Sequence, residues 1–307
     1  MRAVRIHEFG GPEKVEIEDV PRPSIGSKEA LVHVRAASVN PVDWMIREHR
    51  FNPGGTDEVP LTLGQDFSGT IEEIADDSLT SLVPGQDVLG EAWGCFAEYV
   101  TVPVDDLAPK PSELDFDVAA SIPMAALTAW GVVIDTAKAA PGMRFLIHGA
   151  SGGVGSFAAQ LARWRGATVI ATASRPSFEF LESLGVEQVI DYENERFEDA
   201  IDGRVDVVVD PLGGNTQARS WGVLREGGLL INLVGELDRD AAREAGARGV
   251  IFEMSYDTEV LDRVAKLLAE GTLRPHVTHV LPLKKAGEAL DLNQQGRSHG
   301  KVVLEVA

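Results

Sequence analysis

The stretch Phe145-Leu146-Ile147-His148-Gly149-Ala150-Ser151-Gly152-Gly153-Val154-Gly155 decides the fold. Phe145 to His148 is a short apolar strand, the glycines that follow are closely spaced, and Val154 to Arg165 has the composition of a helix. A strand feeding glycines and then a helix leaves backbone N–H groups and a helix N-terminus free to face a pyrophosphate. The strict G-x-G-x-x-G spacing is not met, because Ala150 stands where the first glycine belongs, while Gly152 and Gly155 keep the later spacing. Alone, such a turn also serves as a tight connection without a ligand, so its surroundings carry the argument.

Those surroundings alternate. Thr168–Ala171 is predicted as strand, Phe178–Leu184 as helix, and Val205–Val209 and Leu229–Leu233 as buried strands, a succession that builds a parallel sheet with crossover helices. Upstream the pattern differs: strands at 2–6, 14–18 and 30–36, a Pro-Gly turn within Val83–Val88, and an alternating Cys95–Val100 suggest an antiparallel β-rich lobe reaching residue 104 or so. An Ala-rich helical stretch opens at Asp115 and runs through Trp130, and the domain boundary is placed there. A helix at Thr258–Glu270 precedes strands at Val277–Val280 and Lys301–Val306; these either extend the parallel sheet or return to the first lobe. A chain of 307 residues accommodates two such domains.

The end of the second strand bears on cofactor choice. NAD-selective turns place an acid about 20 residues on to grip the ribose hydroxyls. Here Ala173-Ser174-Arg175-Pro176-Ser177 offers hydroxyls and a guanidinium able to bind a 2′-phosphate, so NADPH is expected; otherwise Arg175 is a solvated loop residue.

Composition excludes several classes of function. With 28 Lys plus Arg against 48 Asp plus Glu, the net charge of -20 repels nucleic acid and anionic lipid surfaces. One cysteine, Cys95, permits neither an intrachain disulfide nor a multi-cysteine zinc site, which fits a reducing cytoplasm. No apolar run approaches a membrane span, and Met1-Arg2-Ala3-Val4-Arg5-Ile6 does not resemble a signal peptide. His33 and His148 fall in strand-like runs and are expected in core or surface roles.

From Met1-Arg2-Ala3-Val4 to Gly300-Lys301-Val302-Val303-Leu304 the chain resembles the zinc-free quinone oxidoreductase branch of the medium-chain dehydrogenase/reductase superfamily. The motifs that carry the likeness are Ser38-Val39-Asn40-Pro41-Val42-Asp43, Leu63-Gly64-Gln65-Asp66-Phe67-Ser68-Gly69, Val83–Val88, Leu127-Thr128-Ala129-Trp130, the glycine turn, and Ser183–Val186 before Val189–Tyr192. Zinc-dependent relatives carry a cysteine in the first motif and Gly-His-Glu in the second; here those places hold Asn40 and Gly64-Gln65-Asp66.

The resemblance implies an α/β architecture, with a GroES-like β-rich catalytic domain of residues 1–117 completed by 262–307 and a Rossmann NADPH-binding domain of residues 118–261. It implies a homodimer. It further implies that Asn40, Thr128 and Lys301 lie near the cofactor, with Ser151, Gly152, Gly153, Val154 and Gly155 on its diphosphate. Ser174 and Arg175 would take the 2′-phosphate, Tyr192 the adenine, and Leu233 with Val234 the carboxamide. Asn40, Asp43, Arg47 and Gln65 are the polar cleft candidates; Trp44, Met45, Phe51 and Trp93 are candidates for an apolar wall facing a quinone or enone. Relatives place tyrosines after Asp43, where Met45 and Phe51 carry no proton to give, so the proton donor stays open. An enal or enoyl reductase of secondary metabolism, and a catalytically quiet nucleotide-binding protein, remain the alternatives.

Overall fold

The computed structural model describes residues 1–52 and 58–307, whose contacts separate into two units: Met1–Met124 with Tyr256–Ala307, and Ala125–Ser255. These boundaries lie several residues from the expected 117/118 and 261/262 because the first crosses a helix and the second precedes one.

The first unit opens with β1 (Arg2–Ile6), β2 (Glu16–Asp19), β3 (Glu29–Val39), α1 (Pro41–Arg47), β4 (Leu61–Thr62), β5 (Asp66–Ile74), β6 (Asp87–Glu91), β7 (Tyr99–Pro103), β8 (Leu107–Pro109) and α2 (Phe116–Ala120). The strand expected at 14–18 begins only at Glu16, since Pro12–Lys14 forms a 3₁₀ turn. In the expected Cys95–Val100 strand, Ala97 makes an isolated bridge to Ala3 and regular pairing starts at Tyr99. Helix α1 was not foreseen; Pro41 at its first position and the Asp43 carboxylate accepting the Asn40 N–H at 2.7 Å start it.

The expected helix from Asp115 to Trp130 is two helices. The chain breaks at Ser121-Ile122 and restarts as α3 (Pro123–Trp130), where Pro123, lacking an N–H, fits a first helical position and no interior one. The second unit then alternates: β9 (Arg144–Ile147), α4 (Gly153–Trp164), β10 (Thr168–Ala173), α5 (Phe178–Ser183), β11 (Gln188–Asp191), α6 (Phe197–Ala200), β12 (Val205–Asp210), α7 (Gly214–Ser220), β13 (Leu224–Asn232), α8 (Arg239–Glu244) and β14 (Arg248–Ile251). Its six strands are all parallel in the order β11-β10-β9-β12-β13-β14. The order reverses between β9 and β12, the switch point at which doubly wound sheets take ligands. Leu146, Ile170, Val208 and Leu230 are buried in its core.

The chain returns to the first unit through α9 (Thr258–Ala269), β15 (Val277–Pro282), α10 (Ala286–Gln294) and β16 (Lys301–Glu305). This resolves the tail: β16 pairs antiparallel with β3, Val302 opposite Val39, and parallel with β15. The resulting seven-stranded sheet buries Val32, Val34, Phe67, Ile71, Val88, Val302 and Leu304, each large side chain contributing about 1.5–3 kcal/mol. Among the described residues no helix is long and apolar enough to cross a membrane.

Candidate functional site

Each unit carries its own concentration of chemically distinctive residues. In the second, they line the carboxyl ends of the parallel strands. Gly149 adopts φ +57°, and Gly152 caps α4 without a side chain. A Cβ on Gly155 would lie 2.5 Å from the Gly149 carbonyl oxygen, so only glycine lets the helix close on the turn. Ala150 is fully buried and its methyl is accommodated. The first amides of α4, from Gly153, Val154 and Gly155, have no acceptor within the helix, and Ser151 lies just before them.

Neighbouring strand ends continue the edge. Strand β10 ends at Ala173; Ser174 is buried, and Arg175 is exposed with its guanidinium 4.7 Å from the centre of the Phe178 ring. No carboxylate occupies that strand end. Tyr192 follows β11 and is 57% exposed. At the end of β12, Asp210 accepts the Leu212 and Gly213 N–H groups at 2.9 Å through Oδ1. Its Oδ2, like Oδ1 of Asn232 at the end of β13, is buried without a partner. Two orphaned acceptors there, beside free helix amides, form an edge suited to a polar ligand. Leu233 and Val234 follow Asn232, and Thr128 is buried on α3.

His148 belongs to the core. Ser220 Oγ donates to the Thr216 carbonyl at 2.7 Å, so it accepts from His148 Nε2 at 2.9 Å, while Nδ1 accepts from Thr172 at 3.0 Å. Both nitrogens are satisfied by a neutral ring, and burial, helped by the charge of Arg219, pushes its pKa down to about 3.

The first unit holds a buried polar network. Lys301 Nζ donates to Asn40 Oδ1 at 2.7 Å and lies 3.6 Å from Asp66 Oδ2. Asn40 Nδ2 donates to the same Asp66 oxygen at 2.8 Å, and the Met124 N–H, in the first turn of α3, donates to Asp66 Oδ1 at 3.0 Å. Asp66 is fully buried; burial raises its carboxyl and lowers the Lys301 ammonium from their ordinary values, while each opposes the shift of the other. Asp43 is fully buried too and pushed up to about 8, first by burial. Cys95 donates its thiol to the Asp66 carbonyl at 3.2 Å. Glu91 closes β6 directly opposite Asp66.

The other expected cleft residues are placed differently from one another. Gln65 is buried beside Asp66. Arg47 is fully buried, donating to the Gly10 carbonyl at 3.1 Å, Glu48 at 2.9 Å and Gln294 at 2.7 Å, and so ties α1 to α10. Trp44 is turned the same way, its indole N–H donating to Asn293 at 3.1 Å. Met45 is half-buried, while Phe51 and Trp93 are exposed. Sequence reasoning assigned no role to Asp66, Glu91, Asp210 or Asn232. For two of them a signal existed: Asp210 and Asn232 each end an apolar run, Val207-Val208-Val209-Asp210 and Leu229-Leu230-Ile231-Asn232.

Residues 26–112 match the family model of the alcohol dehydrogenase GroES-like domain, and residues 184–304 match that of a zinc-binding dehydrogenase. The chain is 31% identical to the mouse mitochondrial NAD(P)H oxidoreductase RTN4IP1, covering 91% of this chain and 82% of the relative. It is 32% identical to tomato (Solanum lycopersicum) 2-methylene-furan-3-one reductase over 99% of this chain and 79% of the relative. The solved structure of a quinone oxidoreductase from Coxiella burnetii superimposes with a TM-score of 0.92 at 34% identity, covering 100% of this chain and 99% of that one.

Proposed function

The chain belongs to the quinone oxidoreductase branch of the medium-chain dehydrogenase/reductase superfamily, and from that premise we propose a metal-free, NADPH-dependent reductase of quinones or activated enones. That it is an oxidoreductase using a nicotinamide cofactor follows from the family. The choice of NADPH rests on one observation: β10 ends in Ser174-Arg175, with an exposed guanidinium and no carboxylate. A carboxylate there would repel a 2′-phosphate, whereas a guanidinium binds it with charge-assisted hydrogen bonds.

The residues present fit a dinucleotide. The glycine turn is a cradle that a Cβ at Gly155 would disrupt, the first α4 amides lack acceptors, and Asp210 and Asn232 keep unpartnered oxygens. Bound there, a reduced nicotinamide supplies hydride. The protein's part is to hold the dinucleotide by backbone amides, with Arg175 at the 2′-phosphate and Tyr192 at the adenine.

The donor set argues against a catalytic zinc. Such sites take three His, Cys or carboxylate ligands. Here the corresponding motif positions are Asn40, Gln65 and Asp66, and Asp66 already faces the Lys301 ammonium, so a dication would meet a fixed positive charge. Among the described residues, the one trio close enough to share an ion is His7, Glu16 and Glu18, outside this network, with Arg5 3.5 Å from Glu18.

The acceptor is tested by stopped-flow NADPH oxidation against a panel of 1,4-quinones, alkenals and α,β-unsaturated ketones. Turnover with at least one member is expected, and silence across the panel refutes the proposal in favour of a quiet nucleotide-binding protein. The tomato relative's substrate class favours enones, and relative rates within the panel separate an enone or enal reductase from a quinone reductase. Association of two copies at the outer edge of β14, which has no neighbouring strand among the described residues, is the dimer this reading expects.

A further inference from the structure

Between the end of β13 at Asn232 and the start of α8 at Arg239 runs a loop, Leu233 to Asp238, on the carboxyl edge of the parallel sheet next to β12. Its first half lies against the turn that follows β12. The Leu233 N–H donates to the Asp210 carbonyl at 2.9 Å, and a Cβ on Gly213, whose φ is +67°, would sit 3.1 Å from the Val234 carbonyl oxygen. Val234 is half-buried, and neither its N–H nor its carbonyl makes a hydrogen bond among the described residues. A free N–H and a free carbonyl on one residue are the complement of a primary carboxamide, which offers an acceptor and two donors.

The second half of the loop is pinned chiefly by one side chain. Gln217, buried on α7, donates through Nε2 to the Glu236 carbonyl at 3.0 Å and accepts the Asp238 N–H on Oε1 at 3.0 Å. An amide sets a donor and an acceptor side by side, and these two unlike backbone partners leave it a single orientation. Asn232 adds a weaker hold, its Nδ2 donating to the Gly235 carbonyl at 3.3 Å. Asp238 in turn caps α8, its carboxylate accepting the Asp240 and Ala241 N–H groups at 3.1 Å and 2.9 Å. Gly235 sits between the two halves at φ +70°, with open space where a side chain would be, so it brings no packing of its own to fix the path of the chain.

We propose that Gln217 is the positioning residue for the nicotinamide end of the cofactor: by gripping Glu236 and Asp238 it holds the Val234 peptide groups ready for the carboxamide. This rests on the reading above, in which the edge takes a dinucleotide and Leu233 with Val234 meet its carboxamide. Both polar ends of the Gln217 amide are spent on the loop, so the residue acts through the loop and not on the ligand. A loop already held in its binding form spares the ligand the cost of ordering it. The groups assigned to the adenine half belong to α4 and to the residues after β10 and β11, and do not depend on this grip.

The test uses the full-length protein and calorimetric affinities for NADP⁺, its 3-acetylpyridine analogue and 2′,5′-ADP, comparing the wild type with Gln217→Met and Gln217→Glu. The analogue carries a methyl group in place of the carboxamide amine, and 2′,5′-ADP has no nicotinamide at all. The wild type should prefer NADP⁺ to the analogue by about 10-fold, the worth of one hydrogen bond to the Val234 carbonyl. Gln217→Met should bind 2′,5′-ADP as the wild type does, lose about 10-fold in NADP⁺ affinity and lose the preference over the analogue. Gln217→Glu, which keeps an acceptor for the Asp238 N–H but has no donor for the Glu236 carbonyl when ionised, should shift the same way. Hydrogen exchange in the ligand-free protein gives a second readout: Gln217→Met should speed exchange at the Asp238 amide while the amides of α4 keep their wild-type protection. Wild-type NADP⁺ affinity and preference in both variants overturn the assignment while the reductase reading stands. A loss shared equally by NADP⁺ and 2′,5′-ADP also overturns it, since that marks a general loosening of the unit. A wild type that binds neither nucleotide overturns both readings.

Discussion

Replacing Lys301 by methionine strips the ammonium partner from a buried carboxylate, and the cost can be worked from the network. Asp66 is fully buried, and its ammonium partner lies 3.6 Å away. Removing one partner of a buried pair typically costs about 3–5 kcal/mol, because the remaining charge is uncompensated. The stranded carboxylate has an escape, which is to take a proton, and this caps the penalty. From the ordinary Asp value of 3.8 to pH 7 is 3.2 pH units, or about 4.4 kcal/mol at 1.36 kcal/mol per unit; at pH 5 the cap is about 1.6 kcal/mol. The sign follows: a carboxyl whose folded pKa rises above its unfolded value adds stability at low pH that is lost as pH climbs through the folded value. Lys301→Met should therefore be destabilised strongly at pH 7 and mildly at pH 5. Urea unfolding at both values measures it, with Asp66→Asn/Lys301→Met as the closing corner of a double-mutant cycle. The double variant should recover most of the loss at pH 7. An equal penalty at both pH values, or a double variant no better than Lys301→Met, would refute the charge argument and leave a packing effect.

Two further outcomes follow. Arg175→Ala should weaken NADPH by about 10- to 100-fold, the loss of one or two charge-assisted hydrogen bonds, while NADH changes little; titration calorimetry with both nucleotides checks it, and equal effects reject the 2′-phosphate role. His148, buried and neutral with its pKa depressed to about 3, makes the unfolded state the stronger proton binder below its ordinary 6.5. Stability should fall as pH drops from about 6.5 towards 3, and His148→Asn should flatten that slope relative to wild type; an unchanged slope rejects it.

Much of the second unit was legible because its signals are local. Glycine spacing, a strand on one side and a helix on the other fall within a short stretch, and the backbone amides that would meet a diphosphate belong to that stretch itself. The missing acid after β10 is likewise read by counting along the chain. The break between α2 and α3 was locally encoded too, by Pro123, but an Ala-rich composition masked it. The bonds of Trp44 to Asn293 and of Arg47 to Gln294 join residues some 250 positions apart, so the clamp of α1 on α10 could not be read along the chain.

The sequence by itself determined the layered architecture, the strand–glycine–helix turn and the absence of thiolate and imidazole from the motifs where zinc relatives carry them. What only the tertiary structure decided is the state of the polar groups in the first unit. Lys301 meets Asn40 across 261 positions of sequence, and that meeting exists because β16 returns to pair with β3. Charges brought together in this way share one small, poorly solvated volume, so which of Asp43, Asp66 and Glu91 keeps its proton depends on the neighbours that folding supplies and not on the residue itself.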